Sequence, residues 1–489
     1  MTGATWRSDE LAPPDGDAWD LLVLGGGTAG LVAAKTAASF GADVLMVERD
    51  RIGGDCLWTG CVPSKALLAA AHAATDARAA VRFGVRISEV DIDFAAVMRH
   101  VHATIRAIEP ADSPAAMRDA GVHLAHGVAR LAGRDLALVG GEPVRFRQAL
   151  IATGSAPIVP SIPGLEAAGP LTNETVFGLA ELPRRLLVIG GGSIGCELGQ
   201  AFARVGSVVS IVEADHRLLP HEDPDAAALV AAALARDGVD VRVGATLSTV
   251  HAGAGAWRAE LGDGARIDVD AVLVAVGRRP RTAELGLDAA GVSVDRDGFI
   301  GVDERLVTSN PRIWAAGDVT RESHFTHTAG VAGTLVAGNA ILGLRRPFDR
   351  ATTPRVTFTQ PEVAAFGVGL EQALRRRLTV VTTPHAELDR AVAEDRTAGF
   401  SRLVFDRRGR VVGATIVGPR AGESLAEPVL AARHGLHARD LAAAIHAYPT
   451  YSDGVWKGGL RRVRAQLDRS GVERVIGLLA ALRRRRLSG

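Results

Sequence analysis

Twice along this chain a short apolar strand runs directly into a glycine turn, a helix and a second strand that ends on a glutamate. The first copy reads Asp20-Leu-Leu-Val-Leu, then Gly25-Gly-Gly27-Thr-Ala-Gly30, a helical stretch from Leu31 to Phe40, and Asp43-Val-Leu-Met-Val-Glu48. The second reads Leu186-Leu-Val-Ile, then Gly190-Gly-Gly192-Ser-Ile-Gly195, a helical stretch from Cys196 to Val205, and Val208-Val-Ser-Ile-Val-Glu213. Glu48 follows Gly25 by 23 residues, and Glu213 follows Gly190 by the same 23. One Gly-x-Gly-x-x-Gly turn is weak evidence, because chains also bend at glycine without binding anything. Two copies with equal spacing, each set between a strand and a helix, predict two dinucleotide sites. In each, bare backbone at a helix N-terminus approaches a pyrophosphate and the glutamate accepts from a ribose hydroxyl. Spacing alone does not say which dinucleotide each site takes.

Close after the first copy lies Gly53-Gly-Asp-Cys56-Leu-Trp-Thr-Gly-Cys61-Val-Pro-Ser-Lys65-Ala-Leu-Leu, which holds two of the three cysteines. The two thiols can meet if the intervening turn folds back, and Gly53, Gly54 and Gly60 allow that turn. Pro63 and the alanine- and leucine-rich run behind it predict a helix, whose positive end and Lys65 both favour a thiolate at Cys61. Zinc would need a second ligand pair that the chain lacks. A structural staple is not required by a chain of 489 residues, which can bury a large core. On the pair alone, redox activity and inert burial stand level. Cys196, in the second glycine-turn helix, reads as a small packing residue.

Composition excludes several function classes. Lys plus Arg (56) balance Asp plus Glu (55) and aromatics are only 4%, so no basic, aromatic-interleaved surface for nucleic acid precedes the C-terminal tail. The first residues carry Asp9, Glu10, Pro13, Pro14 and Asp15 where an export signal would be apolar, so the expected location is the cytoplasm. There a cysteine pair is more often catalytic than structural. No apolar run reaches the ~18 residues of a membrane span.

Taken together, the Gly-Gly-Asp-Cys-x4-Cys-Val-Pro-Ser-Lys stretch and the two glycine turns resemble the FAD-dependent pyridine nucleotide-disulfide oxidoreductases, the family of dihydrolipoamide dehydrogenase, glutathione reductase and mercuric reductase. Matching stretches run from about Trp19 to about Lys457. The resemblance implies an α/β protein with two Rossmann-like dinucleotide-binding domains plus an α+β C-terminal dimerisation domain. It also implies that FAD takes the first site and NADH or NADPH the second. Ala149-Leu-Ile-Ala-Thr153-Gly154 resembles the strand leaving the FAD domain, and Val274-Ala-Val-Gly277 resembles the strand leading back. Ile313-Trp-Ala-Ala-Gly-Asp318 resembles the second FAD motif, whose aspartate contacts the ribityl chain. The expected organisation is a disordered leader over residues 1–17 and an FAD domain over 18–156 and 279–349. A nucleotide domain over 157–278, an interface domain over 350–465 and a basic tail over 466–489 complete it. Electrons would pass from NAD(P)H through FAD to a Cys56–Cys61 disulfide, with Cys61 the flavin-proximal thiolate, Cys56 the interchange thiol and a Lys65–Glu197 pair beside the flavin ring. Glu213 favours NADH, with His216 and Arg217 close by in sequence and able to weaken that preference.

The family completes each active site with the partner subunit's C-terminal segment, in the pattern His-x-His-Pro-Thr-x-x-Glu. Here the stretch is His446-Ala-Tyr448-Pro-Thr-Tyr-Ser-Asp453, with Tyr448 and Asp453 in place of the acid/base histidine and its glutamate. His446 remains but is expected to point elsewhere. A phenol with an ordinary pKa of about 10 is a poor proton shuttle near neutrality, so ordinary dithiol exchange is not expected. The acceptor is then an unidentified small molecule or disulfide. Dihydrolipoamide dehydrogenase, Hg(II) or quinone reductase, and a non-catalytic flavoprotein sensor stand as alternatives. Mercuric reductase uses a C-terminal cysteine pair, and this chain has no cysteine after Cys196. The tail, Val475-Ile-Gly-Leu-Leu-Ala-Ala-Leu482 followed by Arg483 to Arg486, is expected to pack on its own subunit in preference to a membrane surface.

Overall fold

The computed structural model describes residues 8–253, 255–322, 324–469 and 472–487. The chain forms two compact units, one of residues 1–216 with 237–350, the other of residues 217–236 with 351–489.

In the first unit Trp19–Leu24 lies between Val44–Glu48 and Glu142–Ile151, parallel to both, and Val122–His126 extends the sheet beyond Val44–Glu48. Leu136–Val139 and Ala129–Leu131 add antiparallel strands on the far side, and Ile313–Ala315 pairs in parallel with Glu142–Ile151. Side chains alternate across the pleat. Leu21 and Val23 join a core with the helices Thr28–Ser39 and Thr326–Leu342, whereas Leu22 and Leu24 join Trp19, Leu45 and Phe146 on the other face. A sheet covered on both faces explains why these strands read as unbroken apolar runs.

The second glycine turn serves a smaller sheet of four parallel strands, in the order Asp240–Val243, Val208–Glu213, Arg185–Ile189, Ala271–Val274. A three-stranded antiparallel sheet of Leu247–Ala252, Trp257–Leu261 and Arg266–Val269 lies between its last two strands in sequence. Ser155–Pro157 and Arg278–Pro280 pair antiparallel, so the chain leaves the larger sheet and comes back to it along one two-stranded ribbon.

The leader departs from expectation. The Asp9 backbone amide donates to the Leu124 carbonyl at 2.8 Å, its carboxylate accepts from Arg118 at 3.0 Å, and the Trp19 indole donates to the Leu11 carbonyl at 2.9 Å. Residues 9–11 are therefore pinned to the edge of the large sheet by ordinary main-chain and ionic bonds, and residues 1–7 lie outside the described residues.

The second unit is a five-stranded antiparallel sheet in the order Pro354–Thr357, Glu362–Gly367, Val411–Gly418, Phe400–Phe405, Thr379–Pro384. Phe366, Leu403, Phe405 and Ile416 meet Leu425, Leu441 and Val455 from its helices in one core. The helix Pro224–Arg236 and the loop before it belong to this unit. Buried Arg402 donates to Asp223 and Asp225, and Arg355 donates to Glu222 at 2.7 Å.

Candidate active site

The redox stretch is more helical than a simple turn. Gly54–Trp58 forms a short helix, and the long helix begins at Cys61 itself and runs to Ala79. Gly53, at φ +108°, supplies the left-handed residue that admits the first helix, and the Trp58 indole locks it by donating to the Ile52 carbonyl at 2.8 Å. Both thiols are free, and they hydrogen-bond to each other.

That bond makes the pair asymmetric. Cys61 falls to about 6, first because Cys56 donates to it, and then through the Thr326 hydroxyl at 3.1 Å and the Lys65 charge, against burial and Glu197. Cys56 is pushed up, chiefly by its hydrogen bond to Cys61 and then by burial. The first residue of one helix thus holds a thiolate, and the first residue of another, Thr326, braces it. Lys65 and Glu197 form the expected ion pair at 2.9 Å, with the glutamate nearly buried. Cys196 bonds the Gly191 carbonyl at 3.3 Å, and burial raises its thiol far from reactivity.

The two glycine turns are superimposable in their chemistry. The Glu48 carboxylate accepts from the Gly26 and Asp50 amides at 2.7 and 2.8 Å, and the Glu213 carboxylate accepts from the Gly191 and Asp215 amides at 2.6 and 2.7 Å. A Cβ on Gly30 would lie 2.0 Å from the Gly25 carbonyl oxygen, and one on Gly195 would lie 1.9 Å from that of Gly190, so neither position admits a side chain. At Gly27 and Gly192 a Cβ would meet nothing within 4 Å, which leaves room at each helix N-terminus for a phosphate. The first turn, with Glu48 at its strand end, fits the adenosine diphosphate half of FAD. Near the ribbon, Thr153 donates to the Arg281 carbonyl at 2.9 Å, Asp318 accepts from Ser155 at 2.8 Å, and Gly154 and Gly277 both have positive φ.

Sequence reasoning missed the residue that ties this region together. Arg278, 14% exposed, donates to the Ser155 hydroxyl at 2.6 Å, to Asn173 at 3.0 Å and to Asp55, and lies 3.6 Å from Asp318. It stands directly after Gly277 in the returning strand, and Asp55 directly before Cys56. Only the presence of an arginine and an aspartate inside two quoted motifs hinted at the pairing. Thr326 carried no signal at all.

In the second unit Tyr448 is largely exposed and its hydroxyl donates to Asp389, which raises the phenol further above its usual range. The carboxylate that accepts from the phenol is therefore Asp389. Asp453, the residue expected to orient Tyr448, is buried at the start of the helix Asp453–Arg469. His446 points away, as expected, and bonds Glu427 at 2.9 Å.

Residues 19–333 match the model of the pyridine nucleotide-disulphide oxidoreductases, and residues 353–457 match the dimerisation domain of the same enzymes. The chain belongs to the pyridine nucleotide-disulfide oxidoreductase family. It is 35% identical to a mercuric reductase of Lysinibacillus sphaericus over 90% of this chain and 82% of that one. It is 36% identical to a dihydrolipoyl dehydrogenase of Geobacillus stearothermophilus over 89% and 94%. Among solved structures, LpdA of Mycobacterium tuberculosis superposes with a TM-score of 0.83 at 27% identity, covering 90% of this chain and 99% of that one. The HOCl-induced flavoprotein disulfide reductase RclA of Escherichia coli superposes with a TM-score of 0.79 at 28% identity, covering 90% and 99%. This oxidoreductase is accordingly a FAD-dependent, NAD(P)H-using enzyme of class I, built as a homodimer through its second unit. No described helix is long and apolar enough to cross a membrane.

Proposed function

We propose that this enzyme passes electrons from NADH to the Cys56–Cys61 pair and on to an acceptor that needs no dedicated proton shuttle. The asymmetry of the two thiols carries the reading, because one group must stay ionised against the cofactor while the other engages the acceptor. FAD, when bound, would supply the two-electron relay between the nicotinamide and the disulfide. Gly25, Gly27, Gly30, Glu48, Thr153, Gly154 and Asp318 would hold it. Gly190, Gly192, Gly195, Glu213 and Gly277 would receive the nicotinamide nucleotide. Cys61 keeps its negative charge through Cys56, Thr326 and Lys65, and Glu197 holds Lys65 in place.

Preference for NADH is supported by the Glu213 carboxylate at the end of its strand, whose negative charge repels a 2′-phosphate. Arg217 adds to this support, since its guanidinium donates to the Pro220 and Glu222 carbonyls of its own loop. Tyr448 with its proton held by Asp389 argues against fast dithiol exchange, and the lack of cysteines beyond Cys196 argues against delivery of Hg(II). A cytoplasmic setting suits a thiol pair that must be kept reducible.

Rapid mixing of the holoenzyme with NADH or NADPH, followed by lipoamide, glutathione disulfide, quinones and Hg(II), tests the whole reading. We expect fast reduction with NADH, slow turnover with lipoamide and glutathione disulfide, and faster turnover with a flat acceptor. Robust lipoamide turnover near neutral pH would return the chain to the dihydrolipoamide dehydrogenase branch.

A further inference from the structure

We infer that the C-terminal helix Val472–Leu487 is a docking surface for an anionic lipid membrane. Val475, Leu478, Leu479 and Leu482 are between 49% and 61% exposed, although the sequence led us to expect them packed on their own subunit. With 3.6 residues per turn these four side chains share one face. Arg483 and Arg485 fall on either side of that stripe and Arg486 continues it, all of them exposed. Long guanidinium stems can lie along the apolar boundary while their heads reach out to phosphates, which is the pattern of a helix resting in an interface.

Charge selects the occupant. Residues 461–486 hold nine arginines against two acidic residues, in a chain whose total is 56 basic and 55 acidic, so the remainder is net acidic. Two copies of this helix would repel each other face to face, and a neutral apolar partner would leave the arginines without counter-charge. A surface of anionic headgroups over acyl chains satisfies both the stripe and the arginines. At 16 residues the helix lies on a bilayer without spanning it. One such helix binds weakly, but the homodimer carries two, and double attachment raises the apparent affinity wherever both reach the same surface.

The test is co-sedimentation of the full-length, FAD-loaded dimer with vesicles of phosphatidylcholine alone or mixed with phosphatidylglycerol. We expect pelleting with the anionic vesicles, little with the neutral ones, and release as salt rises. Leu478→Gln with Leu482→Gln, and separately Arg483, Arg485 and Arg486 all changed to Gln, should each lower the partition coefficient at least tenfold while the rate of NADH reduction and the dimer mass stay as in the parent. A parent protein that stays in the supernatant, or that binds neutral and anionic vesicles equally, overturns the proposal. So does a leucine variant that dissociates to monomers, since that would make the stripe a contact between subunits. None of these readouts depends on which acceptor the active site uses.

Discussion

At the scale of single residues, the Cys61 thiolate is favoured first by its hydrogen bond from Cys56 and then by Thr326 and Lys65. Iodoacetamide should therefore alkylate Cys61 of the NADH-reduced enzyme with a midpoint near pH 6, and Cys56→Ser should move that midpoint upward while Cys61→Ser leaves no fast-reacting thiol. Mass-mapped alkylation across pH 5 to 9 reads this directly, and an unchanged midpoint in Cys56→Ser would break the link between the two sulfurs. His385 presents a different kind of titration. It is fully buried, bonds Ser401 through Nε2 at 3.1 Å, and burial lowers it to about 4. Its unfolded value is near 6.5, so between those two values the unfolded chain binds the proton and the folded chain does not. Stability contributed by the neutral ring is complete above about pH 6.5 and falls as pH drops toward 4, by at most about 3 kcal/mol. In His385→Gln the urea midpoint should be lower at neutral pH but lose less on acidification, and an unaltered pH slope would show that another group dominates.

Elements show which relations a reader of sequence can see. The two strand, turn, helix and strand units were legible because every residue that defines them lies within 23 positions of the first glycine. The Lys65–Glu197 pair was legible only through family resemblance. The Asp55–Arg278 bond joins positions 223 apart, Cys61 and Thr326 are 265 apart, and Tyr448 and Asp389 are 59 apart in different elements. No periodicity encodes such pairs, because tertiary packing chooses the partner. Family resemblance set Asp453 in the place of the orienting acid, whereas the carboxylate that accepts from Tyr448 lies on the short helix Asp389–Ala393. A single change, Tyr448→His, should then place an imidazole within reach of a ready carboxylate. We predict a gain of tenfold or more in lipoamide turnover, within the ~10²–10⁴ range of a positioned acid/base group, and its loss again when Asp389→Asn is added. Steady-state kcat/KM for the three proteins decides this.

On the scale of the whole molecule, the enzyme is a homodimer, and we expect its acceptor chemistry to need both subunits because Tyr448 would serve the partner's thiols. Dilution through the dimer dissociation range, followed by light scattering, should abolish acceptor turnover while NADH still bleaches the flavin. Full turnover by a monomer would remove Tyr448 from the active site. The position of Arg278 also bears on how the molecule is made. The ribosome releases Cys56 and Cys61 more than two hundred residues before the arginine that fastens their loop, and later still comes Thr326. At about 5–20 residues per second, the nascent thiols wait on the order of 10–50 seconds for their final surroundings. Until then the pair lacks both Arg278 and Thr326, so the order of synthesis completes the surroundings of the two sulfurs only when the scaffold that will use them is nearly finished.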